Sequence, residues 1–143
     1  MISKGVLILF VFILNLAAGQ EPVSDSIGKD STSFLYEFDM KYIGSSVQVA
    51  PNYYSILDYL VELLNKNPKW TVHVRGHVCC GPSLRVSKRR AKKAYQFLKR
   101  SGIDKSRLSY KGYNDLEPLA FPEKTEEDER INRRVDFIIY TNK

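Results

Sequence analysis

WTVHVRGHVCCGPSLRVSKRRAKKAYQFLKR, residues 70–100, reads as a strand, a turn and a helix in immediate succession. Trp70, Val72 and Val74 alternate with Thr71, His73 and Arg75, the period of a half-buried strand that stops at Gly76. His77, Val78, Cys79, Cys80, Gly81 and Pro82 form the turn. From Val86 to Arg100 a winding of about 100° per residue gathers Val86, Ser87, Ala91, Ala94, Tyr95, Phe97 and Leu98 on one arc. Lys88, Arg89, Lys92, Lys93, Lys99 and Arg100 fall on the other side, as on any solvated helix face. Arg90 is the exception, a cation on the apolar arc. Ser101 and Gly102 close the helix.

Upstream, Phe34, Tyr36 and Phe38 alternate with Leu35, Glu37 and Asp39 and predict a first strand. Residues 41–50 read as a connection with extended character at Val47 to Val49. Pro51 opens a helix carrying Tyr53, Ile56, Leu57, Leu60, Leu63 and Leu64 at helical spacing, and Asn67 with Pro68 ends it. Downstream, Leu108 and Tyr110 mark a third strand into Gly112. Past Pro118, Pro122 and an acidic run from Glu123 to Glu129, Val135, Phe137 and Ile139 alternate in a last strand. The order βαβαββ predicts an α/β two-layer sandwich: a mixed sheet, its last two strands antiparallel, with two main helices packed on it.

Residues 1–19 have the pattern of a secretory signal peptide: Lys4, the apolar run Val6 to Leu14, then Ala17, Ala18 and Gly19. The run is shorter than the roughly 20 residues a membrane-spanning helix needs. Residues 20–32, polar with Pro22 and Gly28, read as a flexible lead, and residues 33–143 as one domain. With its two cysteines deep inside the chain, no lipid anchor is expected at the cleavage point. The formal net charge is +6, and Arg85 to Arg100 contains cations and no acid. For an exported chain such a face suits anionic envelope polymers or lipid headgroups rather than nucleic acid, with a merely solvated face as the alternative. No cofactor is implied. Neither a G-x-S-x-G elbow, an H-E-x-x-H pair nor a phosphate-binding glycine loop occurs, so no enzymatic activity is expected. The hydroxyls of Ser83 and Ser87 read as helix caps.

A strand end followed by a turn and a helix start gathers free N–H groups that attract anions. Arg90, one turn into the helix, leans back toward that start and is placed to pair with a carboxylate ligand. The alternative is a buried salt bridge to an internal acid such as Asp39 or Asp58. His73 and His77 share strand parity but stand about 13 Å apart, too far to share a metal ion, and His77, Cys79 and Cys80 lack a spaced partner motif, so no metal site is expected. Neighbouring Cα atoms about 3.8 Å apart lie below the usual disulfide minimum of about 4.4 Å. Cys79 and Cys80 are therefore either two thiols, one packed and one lining the turn, or a strained bond with a redox role.

Gly76 and His77, then Val86, Ser87, Arg90, Ala91 and Leu98, then Gly112, Tyr113 and Pro118, and finally Asn132, Arg133, Arg134 and Val135 resemble the OmpA-like peptidoglycan-binding domain. That domain occurs in outer membrane protein A, the peptidoglycan-associated lipoprotein and flagellar stator proteins, and its pattern reads G-H-T-D, N-x-x-L-S-x-x-R-A, G-x-G-x-x-x-P, N-R-R-V. The resemblance spans Phe34 to Tyr140. It implies a non-catalytic, periplasmic domain, associated with the outer membrane through a partner, that binds peptidoglycan and envelope proteins. It further implies a grip on the zwitterionic diaminopimelate of the stem peptide: Arg90 on the carboxylate, the residue at Cys79 on the ammonium, with Gly76, His77, Val86, Phe38 and Asp39 around it. Cys79 stands where the family has its aspartate, Ser83 replaces the helix asparagine, and Asn114 stands at the second glycine of G-x-G. These departures leave open a second reading, a structural or protein-interaction module of the same fold without peptidoglycan binding.

Overall fold

The computed structural model describes residues 33–141, with side chains described from Met40 onward. The signal-peptide and lead segments expected at residues 1–32 lie outside the described residues. Four strands form: β1 (Ser33–Lys41), β2 (Thr71–His77), β3 (Leu108–Asn114) and β4 (Arg134–Tyr140). Among the described residues they make one sheet in the order β1, β4, β2, β3. β2 and β3 run parallel, while β4 is antiparallel to both β1 and β2. A short 3-10 turn, Pro51–Tyr53, leads into α1 (Tyr54–Lys66); α2 (Leu84–Arg100) follows β2, and α3 (Glu126–Asn132) precedes β4.

The core forms where the apolar stripes of α1 and α2 meet one face of the sheet. Leu57, Leu60 and Leu64 of α1, and Ala91, Ala94 and Leu98 of α2, cover Val72, Val74, Val135, Phe137 and Ile139. α2 ends in a left-handed Gly102, with Gly102 N donating to Lys99 O and Ile103 N to Leu98 O.

The mixed α/β sandwich with its two main helices agrees with the sequence reading; the expected pairing of the last two strands does not, and a short third helix is added. β3 and β4 do not pair as a terminal antiparallel couple, because β4 is inserted between β1 and β2. The reason lies in burial on both its faces: Val135, Phe137 and Ile139 enter the core, and Arg134 and Asp136 are also buried on the reverse side. An edge strand would leave such residues exposed. The third helix, α3, lies in the acidic run, to which the sequence pattern assigns no element. Its Glu126, Glu127, Asp128 and Glu129 fill a first turn, where carboxylates face the positive helix end. A capping box starts it: Asp128 N donates to Thr125 Oγ1 at 3.1 Å, and Thr125 N donates to Asp128 Oδ2 at 2.9 Å. With one apolar residue, Ile131, in two turns, no stripe announced this helix. Val47 to Val49 form no strand, and α2 begins at Leu84, two residues before Val86.

Two glycines set how closely α2 lies on the sheet. A Cβ on Gly76 would stand 2.0 Å from the carbonyl oxygen of Ser87, and one on Gly112 would stand 2.6 Å from Lys88 N. Each meets helix backbone, which cannot rotate away. Gly76→Ala is therefore expected to push α2 off β2 and to lower stability by about 3 kcal/mol, the upper end of overpacking costs, in urea unfolding followed by circular dichroism.

Candidate functional site

Arg90 lies on the core side of α2 and is fully buried. Its Nη1 donates to His77 O at 2.9 Å, its Nε to Ser46 O at 2.9 Å and its Nη2 to Gly44 O at 2.5 Å. The Tyr42 ring faces the guanidinium, with Cζ 4.6 Å from the ring centre. The side chain thus straps the end of β2 and the turn after β1 to α2. Burial lowers its pKa to about 10, opposed by Tyr42 and reinforced by repulsion from Arg133, so it stays charged at neutral pH. Of the two acids expected as partners, Asp58 lies on an exposed face of α1. Asp39 and Phe38 follow the backbone of β1, and their side chains lie outside the described residues.

Above Arg90 opens a cleft of about 360 Å³, lined on one wall by Gly44 and Ser45 and on the others by Val78 to Ser83, Val86 and Arg133. Cys79 and Cys80 are joined in a vicinal disulfide, Sγ to Sγ 2.08 Å and Cα to Cα 3.8 Å. Of the two alternatives for this pair, two thiols or a bond, the structure has the bond, at a turn where Cys80 takes a left-handed φ of +61° and Gly81 one of +100°. The pair is then held from α3. Arg133 Nη1 donates to Cys79 Sγ at 3.3 Å and to Glu129 Oε2 at 3.0 Å, while Arg133 Nε donates to Tyr42 O at 3.2 Å. Cys80 N donates to Glu123 Oε2 at 3.1 Å. The other oxygen of Glu123 accepts from the buried Asn132 Nδ2 at 2.5 Å, whose Oδ1 accepts from Leu119 N and Ala120 N at 2.7 and 3.0 Å.

The sulfur atoms of Cys79 and Cys80 and a carboxylate oxygen of Glu129 lie within 4.8 Å of one another. Sulfurs bonded to each other offer no thiolate to a metal ion, and Arg133 already holds the carboxylate. The cleft's lining carries two guanidinium groups and no carboxylate, a setting for an anion.

Among the residues expected at the site, Cys79, Val86 and Arg90 line the cleft. His77 contributes only its carbonyl, to Arg90. Its ring, 1 % exposed, lies with Nε2 3.1 Å from Asp136 Oδ2 and stacks on Tyr113 at 5.6 Å between centres. Strand alternation is the cause: Val74 and Gly76 face the helices, so His73, Arg75 and His77 face away. Gly76 serves the approach of α2 and does not line the cleft. On that reverse face Asp136 accepts from Arg75 Nε at 2.6 Å and Nη2 at 3.0 Å, and from Arg134 Nε at 3.1 Å. Burial raises the Asp136 pKa, but His77 and Arg75 together outweigh it and the net shift is downward. Ser83 makes no side-chain cap; its N donates to Asn114 Oδ1, while Ser87 Oγ donates to Leu84 O and accepts from Asn114 N. Arg133, Gly44 and Ser45 were not read as site residues. Arg133 stood in the Asn132 to Val135 stretch, but nothing in the sequence distinguishes its direction from that of Arg134.

The sequence profile of the OmpA family matches residues 42–133. Outer membrane porin F of Pseudomonas fluorescens is 33% identical over 104 residues, which are 70% of this chain and 32% of the porin, so the chain spans about a third of that relative's length. The C-terminal domain of Helicobacter pylori MotB superposes with a TM-score of 0.66 at 20% identity, covering 80% of this chain and 87% of that one. The cell wall anchor of the T6SS from Pseudomonas aeruginosa gives 0.62 at 24%, covering 77% and 81%. For the peptidoglycan-associated lipoprotein from Burkholderia pseudomallei the values are 0.61 and 21%, covering 75% and 88%.

Two outcomes test this geometry. Mass spectrometry of the unreduced protein after alkylation is expected to show no adduct, and two adducts after reduction by a dithiol. Asp136 has a folded pKa below its unfolded value, so its stabilisation is present above about pH 4 and is lost as pH falls below that. Asp136→Asn is expected to cost about 3 kcal/mol near neutral pH, by removing the buried carboxylate that Arg75 and Arg134 share while Glu117 still pairs with Arg75, and to flatten the acid limb of a stability-against-pH profile.

Proposed function

The chain belongs to the OmpA family, and we propose that it is a non-catalytic cell-envelope domain that holds peptidoglycan non-covalently in the cleft above Arg90. The supporting observation is the cleft's charge: Arg90 at its floor donates only to carbonyls, Arg133 at its wall is paired with Glu129, and the lining residues include no carboxylate, so the cleft is net positive. A diaminopimelate carboxylate is the anion of the stem peptide that such a pocket suits. Arg133, 12 % exposed, is the more accessible of the two; its Nε and Nη1 already serve Tyr42 O, Cys79 Sγ and Glu129, and its Nη2 is the group left to meet a ligand oxygen. Arg90 sets the floor's shape and adds its charge. In this reading the domain works in the periplasm beside the outer membrane, with envelope proteins as further partners. Among the described residues no helix is long and apolar enough to cross a membrane.

The disulfide favours a second reading. Where the family has an aspartate for the ligand's ammonium, this chain presents the sulfur of Cys79, already in contact with Arg133. Loss of that charge-assisted contact costs about 1.5–3 kcal/mol, or one to two decades of affinity. At that cost the same fold serves as a structural or protein-interaction module without peptidoglycan binding.

Co-sedimentation of the domain with purified sacculi separates the two. On the first reading the wild type binds and Arg133→Ala binds at least tenfold less, with its far-ultraviolet spectrum unchanged. The double variant Cys79→Asp, Cys80→Ser is expected to bind about tenfold or more tightly, by supplying the missing anion. Wild-type protein that stays in the supernatant at physiological salt overturns the first reading in favour of the second. Arg90→Ala is a poor probe, since it removes the strap between α2, β2 and the turn at Gly44, and it is expected to unfold the domain.

A further inference from the structure

On the side of α2 remote from the core, one helix face carries seven cations with a single neutral residue, Gln96, among them. Arg89, Lys93 and Arg100 are exposed, and so are Arg85, Lys88, Lys92 and Lys99, while the helix contains no acid. At 100° per residue these side chains fall within a sector of about 140°, diametrically opposite the buried Ser87, Ala91, Ala94 and Leu98. Over 17 residues the stripe runs about 25 Å. Its cations carry no ion pair among the described residues, whereas Arg75, Arg130, Arg133 and Arg134 all do. A solvated face laced with salt bridges carries both signs, and this one carries a single sign over its whole length.

The stripe borders a groove of about 290 Å³ between α2, the start of α1 and the connection at residues 47–49. Arg89, Lys93 and Arg100 edge it, and Val49, Tyr54 and Phe97 supply its apolar part, the two rings 5.6 Å apart between centres. Tyr54 is 42 % exposed there. A polar anion alone has no use for that apolar side, and an apolar ligand alone has no use for three unpaired cations. A phosphate-bearing amphiphile uses both, and a flat row of cations matches a flat array of anionic headgroups.

We propose that the basic face of α2 docks on an anionic phospholipid surface, with one headgroup phosphate seated in the groove between Arg89, Lys93 and Arg100. The site lies on a different helix face from the cleft above Arg90 and does not depend on peptidoglycan binding. Docking orients the domain with α2 along the bilayer and the Tyr54 ring against the glycerol region of the lipid.

Flotation with phosphatidylcholine vesicles, with and without phosphatidylglycerol, provides the test. The wild type is expected to float only with the anionic vesicles, and less as salt is raised. Two triple variants remove equal charge: Arg89→Gln, Lys93→Gln, Arg100→Gln from the groove, and Lys88→Gln, Lys92→Gln, Lys99→Gln from the rest of the stripe. All six side chains are exposed, so both variants are expected to fold as the wild type does by circular dichroism. The groove variant is expected to lose about tenfold more vesicle affinity than the other, because a seated phosphate adds charge-assisted hydrogen bonds to diffuse attraction. Equal losses in the two variants overturn the proposal. So does a wild type that fails to float with anionic vesicles, or that binds soluble glycerol phosphate through the groove without binding vesicles.

Discussion

A buried guanidinium cannot be left without acceptors, and this constraint organises one end of the molecule. Arg90 stands on the core side of α2, where desolvating its charge is costly unless its N–H groups are met. Three carbonyls meet them, from Gly44, Ser46 and His77, and they belong to two segments that are distant in sequence. The turn after β1 and the end of β2 are therefore placed relative to α2 by a single side chain. The walls of the cleft are what that placement leaves between them. Gly76 and Gly112 make it possible, since without their missing side chains α2 could not lie close enough to the sheet for Arg90 to reach.

A second chain of contacts works from the opposite side. Asn132 fixes the backbone at Leu119 and Ala120 and holds Glu123, and Glu123 holds the amide of Cys80. Arg133, next in sequence, bonds Cys79, Glu129 and the carbonyl of Tyr42, and Arg134 turns to Asp136 on the reverse face. Three consecutive polar residues thus serve a loop, a cleft and a buried charge network. The disulfide turn is gripped at both cysteines by residues of the α3 end of the molecule. That grip fixes the cleft's walls, so that on the proposed reading a ligand seated there requires little ordering of the chain.

Much of this was legible in the residues themselves. Period-two alternation located the strands, and helical phase located α1 and α2 and showed that Arg90 alone among the cations of α2 faces inward. What escaped did so for physical reasons. α3 is two turns long with a single apolar residue, so it has no stripe, and its evidence was the Thr125 to Asp128 capping box alone. The place of β4 depends on burial of Arg134 and Asp136, and polar residues in a strand ordinarily signal an exposed face. Cys79 and Cys80 were judged by the separation usual for bridged residues; neighbours joined by one peptide bond lie outside that range, and the left-handed turn at Cys80 and Gly81 accommodates them.

The sequence alone determined the four strands, α1 and α2, the inward arginine and, through its ordered motifs, the family, because these rest on local periodicity and on residues whose spacing along the chain is itself the signal. The tertiary structure decided the partners. Which acceptors Arg90 finds, which face of β2 carries His77, and that Arg133 rather than His77 reaches the cleft all depend on strand order and on contacts between segments far apart in the chain. No local pattern records these, since a buried polar group is satisfied by whatever the fold brings within hydrogen-bond reach.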